Sequence, residues 1–174
     1  WLLPGFEQQA ALVAGVRAVD VSRQRALSLA PDRPSVALIA RRLDDVADPS
    51  SRLPMVAPPV AARSGEVGVY VSEAMVTLYG AQTGSTLVLP LGVRRMIDLG
   101  FAVEVRVLGV WRDFARQFGA VVMDLESYRR ITGDTRLNEM SLWLQPGATV
   151  ANVQNGLRAL ASDPSMVEFA SAAD

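Results

Sequence analysis

The sequence predicts an α+β fold in two lobes: an α/β lobe built from the two ends of the chain, and a smaller β-rich lobe inserted between them. Three observations carry this. Several short runs alternate valine with polar residues, which is the period of a strand. Segments between those runs open on Ser, Asp or Thr and close on Gly, the punctuation of short helices. A proline-rich stretch divides a helix–strand–strand beginning from the centre, and a strand–helix–strand order returns at the end. Residues 1–48 and 138–174 make the first lobe, 49–64 the crossing and 65–137 the insertion. The crossing also reads as a long surface loop within one domain.

From the start of the chain, Phe6, Ala10 and Val13 share a helix face that Pro4 can start and Gly15 can end. Val16 to Ala30 is extended: Val19 and Val21 alternate with Asp20 and Ser22. Pro31-Asp32-Arg33-Pro34 is a turn, and Val36 to Ala40 is a nearly continuous apolar strand, so the two strands form a hairpin. The crossing carries Pro49, Pro54, Pro58 and Pro59, whose missing amides and fixed φ predict extended, irregular chain.

The centre opens with Val67, Val69 and Val71 alternating with Gly68, Tyr70 and Ser72. Ser72 is placed to cap a helix through its hydroxyl, Glu73 suits the first turn, and Gly80 suits the left-handed end. Thr86 to Leu91 and Val103 to Val107 are strands, joined through a turn carrying Arg94 and Arg95. Asp124 can cap a second helix bearing Tyr128 and Ile131, which Gly133 ends. Met140 to Gln145 is a strand, Pro146-Gly147 a turn, and Thr149 caps a helix whose Val150, Val153, Leu157 and Leu160 share a face. Val167 to Ala170 is expected to be a last strand.

Composition limits the chemistry. The chain of 174 residues is 50% apolar and 20% charged, which marks a folded protein, and its net charge of −1 offers no field for nucleic acid. It has no Cys, His or Lys. Thiol nucleophiles, disulfides, imidazole bases and zinc sites built on Cys or His are therefore excluded. Arginine as the sole basic residue is attributed to a GC-rich genome. The chain begins at Trp1 and contains neither a signal peptide nor an apolar run of about 18 residues, so it reads as a piece or processed form of a longer product.

Asp44, Asp45 and Asp48 are the densest carboxylates, but no spaced loop of oxygen ligands follows, so they read as a solvated strand end. Glu104 and Glu126 could be imagined as an acid/base pair, but they read more simply as the outward side of a strand and a first-turn acid. Gly80 to Thr86 looks superficially like a phosphate loop. It lacks the lysine and follows a helix where such a loop follows a strand. Serine nucleophiles have no imidazole or lysine partner. No catalytic, cofactor-binding or metal-binding residue is assigned. Two stretches remain as contact surfaces. One is Trp111, Arg112, Arg116 and Phe118, residue types common at interface hot spots, although Trp111 and Phe118 read more readily as core and the arginines as solvated. The other is Leu53, Met55 and Val56 in the crossing, which face a partner or a lipid acyl chain, or pack on their own lobe.

The order of these residues resembles a known family. Val67 to Gly84, the descent through Val107-Leu108-Gly109-Val110 and Val121-Val122-Met123-Asp124 to Tyr128, the N-terminal Val13-Ala14-Gly15-Val16-Arg17-Ala18-Val19 and the turn Leu144-Gln145-Pro146-Gly147-Ala148 are similar to the extracytoplasmic domain of MacB/FtsX-like ABC transporter permeases. The resemblance implies a domain outside the cytoplasmic membrane of a bacterium, between the first two membrane helices of a permease unit. It implies a porter-like α/β lobe with an inserted β-rich lobe, and ATP hydrolysis in a separate or fused cytoplasmic domain. Implied partners are the membrane helices of its own full-length permease, a cognate ABC ATPase, a second permease subunit and an extracytoplasmic substrate or protein. Two other readings stand beside it: a free-standing secreted protein-binding module, and a secreted enzyme working through carboxylates.

Overall fold

In a computed structural model, the described residues are 1–43, 53–92, 102–163, 165 and 167–170. Asp44, Asp45 and Asp48, the Pro49 end of the crossing and the Arg94–Arg95 turn lie outside them. The described residues form, in chain order, α1 (Phe6–Ala11), β1 (Val16–Leu27), β2 (Val36–Arg41), β3 (Gly68–Ser72), α2 (Glu73–Tyr79), β4 (Thr86–Leu89), β5 (Val103–Trp111), β6 (Ala120–Asp124), α3 (Leu125–Thr132), β7 (Glu139–Leu144) and α4 (Val150–Leu160). The expected α+β class holds. The strands make a mixed sheet in the order β4-β5-β3-β6-β2-β1-β7. β2 and β6 are parallel, as are β3 and β5, while β1–β2, β3–β6 and β4–β5 are antiparallel.

The chain divides into two compact units, Trp1–Val21 with Leu137–Asp174, and Ser22–Arg136. In the first, α1 and α4 bury Phe6, Ala10, Val153 and Leu157 with Val16 of β1, and Met140, Leu142 and Leu144 of β7 pack against them. β7 alternates inward apolar and outward exposed residues, so one of its faces meets water. Thr149 caps α4 as expected, its hydroxyl accepting from the Asn152 amide at 3.3 Å. The strand expected over Val167–Ala170 does not form. Instead Phe169 packs on this core, and the Arg158 guanidinium of α4 lies 4.9 Å from its ring centre. Phe169 docks by its side chain and not through a backbone ladder.

The second unit is built around β6, whose Ala120 to Met123 are buried on both faces, as suits a strand flanked by β3 and β2. On one face, Ile39, Tyr70, Leu108, Trp111, Ala120 and Val122 pack with Leu43 and Leu53. On the other lie Leu38, Ala40, Val69, Val71, Val121 and Met123, all fully buried. Helix α3 packs against β6 and β2, burying Leu125 and Tyr128. Asp124 caps it, one carboxylate oxygen accepting from the Ser127 amide at 2.9 Å and the other from the Leu43 amide at 3.2 Å.

The described part of the proline-rich crossing joins this unit. The Val56 and Val60 amides donate to the Val110 and Leu108 carbonyls of β5, and the Arg112 amide donates to the Pro54 carbonyl. Proline, with no amide to give, fits such an edge. Leu53 is buried and Met55 packs against the same core, so of the three candidate contacts here only Val56 is exposed.

Ser72 occupies the N-cap position of α2, but its side chain does not cap the helix. Its hydroxyl accepts from the Ala120 amide at 2.9 Å, tying the end of β3 to the start of β6. A buried amide at a strand start outcompetes the solvated first turn of a short helix for that oxygen. Gly80 does take the left-handed conformation at the other end, with φ of 64°.

Candidate functional site

The loop from Arg112 to Phe118 joins β5 to β6 and is held by local polar contacts. The Asp113 carboxylate accepts from the Ala115 and Arg116 amides at 2.9 and 3.3 Å, closing an Asx turn. It also meets the Arg116 guanidinium at 3.4 Å, whose other nitrogen reaches the Gln24 side chain at 3.5 Å. Arg112 donates to Glu73 at the start of α2, at 3.2 Å. Both side chains of that pair are about half exposed, so it adds only a few tenths of a kcal/mol. The turn lifts Phe114 into solvent at 87% exposure.

The four contact residues expected from the sequence therefore separate. Trp111, only 4% exposed, is part of the core of the second unit. Arg112, Arg116 and Phe118 lie at the surface, with Phe118 54% exposed. Sequence reasoning missed Phe114 as the exposed apex. The signal was Asp113, since an Asp two residues before a small residue is a turn former that pushes the residue between outward.

Phe118 also walls a groove of about 350 Å³, completed by Arg33 and Pro34 from the β1–β2 turn and Thr77 and Leu78 from α2. The Arg33 guanidinium sits over the Tyr79 ring, 5.0 Å from its centre. The Tyr79 hydroxyl below is buried and has no hydrogen-bond partner among the described residues. No sequence pattern links positions 33, 78 and 118; the fold brings them together.

Among the described residues, the strongest electrostatic perturbation lies at Asp134. Asp134 accepts from Arg23 at 2.9 Å, from Arg136 at 2.8 Å and from the Tyr128 hydroxyl at 3.1 Å. Arg25 in turn reaches the Tyr128 hydroxyl at 3.3 Å and the Leu91 carbonyl at 2.8 Å. Burial alone would raise the Asp134 pKa. The Arg136 and Arg23 side chains, the Arg136 amide and Tyr128 together outweigh burial and hold it well below the usual carboxylate range. A carboxylate so saturated with donors is a structural anion, with no lone pair left for a substrate proton.

The other candidate carboxylates are not gathered. Glu104 is exposed opposite Val88, and Glu126 pairs with Arg129 at 2.7 Å. Among the described residues, no group of three His, Cys, Asp or Glu side chains could hold a metal ion, and no helix is long and apolar enough to cross a membrane.

No protein-family model and no curated protein matches the sequence. Solved structures do match the fold. The chain is similar to the extracellular domain of the noncanonic ABC-type transporter YknZ from Gram-positive bacteria, with a TM-score of 0.59, 13% identity, and coverage of 91% of this chain and 81% of that one. It is also similar to the periplasmic region of MacB from Actinobacillus actinomycetemcomitans, with a TM-score of 0.55, 11% identity, and coverage of 92% of this chain and 72% of that one. Over more than nine-tenths of its length, the chain thus has the fold of extracytoplasmic domains of ABC transporters.

Proposed function

We propose that this chain is the extracytoplasmic domain of a MacB/FtsX-like ABC transporter permease, on the outer side of a bacterial cytoplasmic membrane. It couples ATP hydrolysis in a cytoplasmic nucleotide-binding domain to motion, or to handling of a substrate or partner, outside the membrane. The observation that carries the reading is the fold likeness to two such domains across almost the whole chain. The order of small and apolar residues named above supports it independently of that likeness. On this reading residues 1–48 and 138–174 form the porter-like lobe and residues 65–137 its insertion. The chain has no His, Cys or Lys, and its most perturbed carboxylate is consumed by arginines, which supports a non-enzymatic role.

The partners proposed are the membrane helices of its own permease, its ATPase, a second permease subunit and an extracytoplasmic substrate or protein. The surface proposed to meet the last of these is Arg112, Arg116 and Phe118, supported on Trp111 and extended by Phe114. Affinity purification of the native protein from detergent-solubilised membranes tests the assignment. Recovery of a nucleotide-binding subunit, or of one fused to the same polypeptide, is expected; recovery without any ATPase overturns it.

A further inference from the structure

The arginines around the Phe118 groove are not alike. Arg112 is matched by Glu73 and Arg116 by Asp113. Arg33 has no carboxylate or carbonyl partner among the described residues; its side-chain contact is the Tyr79 ring. A cation–π contact holds the guanidinium in place without consuming its N–H donors, and a planar fork of donors suits a carboxylate. Pro34, Leu78 and Phe118 put apolar surface directly beside that cation. A guanidinium with free donors next to an apolar trough is complementary to a short anionic, amphipathic segment. Neither a purely apolar nor a purely charged ligand would use both parts.

We propose that the groove between the β1–β2 turn, α2 and Phe118 docks a polypeptide segment in which an Asp or Glu adjoins a large apolar residue, the carboxylate on Arg33 and the apolar side chain on Leu78 and Phe118. This rests on the reading that the surface around Phe118 meets an extracytoplasmic protein. The geometry makes the site a reader of one acidic–apolar pair, so its affinity alone is low, and its worth lies in selecting which segment of a larger partner is seated.

The test uses the isotopically labelled 174-residue chain and two blocked dipeptides, N-acetyl-Asp-Phe-amide and N-acetyl-Asn-Phe-amide, titrated to millimolar concentration by NMR. The Asp peptide is expected to shift the Arg33, Leu78 and Phe118 amides and to bind about ten-fold more tightly than the Asn peptide, the worth of one charge-assisted contact. Arg33→Gln should make the two peptides equal, and Phe118→Ala should weaken both. Spectra of the variants that otherwise overlay the parent exclude misfolding. Equal binding of both peptides to the unaltered chain, shifts confined to other surfaces, or no shifts at all overturn the proposal. Those results would leave the permease reading standing, because membrane partition of the native protein tests that separately.

Discussion

Arg23 and Asp134 are 111 residues apart in the chain, yet the guanidinium Nε donates to the carboxylate at 2.9 Å, with side chains only 8% and 12% exposed. The bond ties β1 to the segment after α3, and Tyr128 and Arg136 complete the shell around the carboxylate. Removing the charge from one member of a buried pair takes away much of what offsets the desolvation of the other. Asp134→Asn is therefore expected to cost about 3 kcal/mol in urea unfolding.

The same carboxylate sets a pH dependence. Its folded pKa is depressed below the unfolded one, so its contribution is fully present above the ordinary Asp value of about 3.9 and is lost as pH falls toward the folded value. Unfolding free energy measured from pH 6 down to pH 3 should fall in the unaltered chain. It should fall less steeply in Asp134→Asn, which no longer has that proton to bind.

Ser72 and Thr149 both stand at helix N-caps but act differently. Ser72→Ala leaves the buried Ala120 amide without an acceptor and is expected to cost about 1–3 kcal/mol. Thr149→Ala loses an exposed cap worth about 1 kcal/mol or less. Equal losses in denaturant titrations would contradict this assignment of the Ser72 hydroxyl.

Gly119, directly before β6, has φ of 99°, and a Cβ there would lie 2.6 Å from the Met75 sulfur, in a side chain that is wholly buried. Gly119→Ala combines backbone strain with overpacking and should destabilise by about 2 kcal/mol. Thermal unfolding checks it.

Three tryptophans report on the Trp111 assignment. Trp1 and Trp143 are 65% and 42% exposed, and Trp111 is 4% exposed. Acrylamide should quench two of the three readily, and Trp111→Phe should remove the protected, blue-shifted component. Phe114→Ser, by contrast, should leave stability within about 0.5 kcal/mol of the parent, as befits a solvated apex.

The contrast between Ser72 and Asp124 shows what the sequence made legible. Both read as helix caps, from the same local signal. The Asp124 carboxylate has two oxygens and serves both Ser127 and the distant Leu43 amide. The Ser72 hydroxyl went to a strand start 48 residues away, a partner no local pattern names. Helix ends at Gly80 and Gly133, the β1–β2 hairpin and the β7–α4 turn were legible because their causes lie within a few residues. The placement of β3 between β5 and β6 was not, since parallel and antiparallel pairing of one strand depends on partners far along the chain. The candidate surface was half legible: Arg112 and Arg116 are outside, as their charge suggested, whereas Phe118 is 54% exposed although an aromatic there reads as core. Trp111 is inside because it ends a strand facing Tyr70 and Ile39, and Arg33 joins the site only through the fold.

The measurement that bears most directly on the permease reading is the partition of the native protein in its own host after an alkaline carbonate wash, with its intact mass. A polypeptide much longer than 174 residues that stays in the membrane pellet is expected. A polypeptide of about this size that washes off or appears in the medium would contradict it.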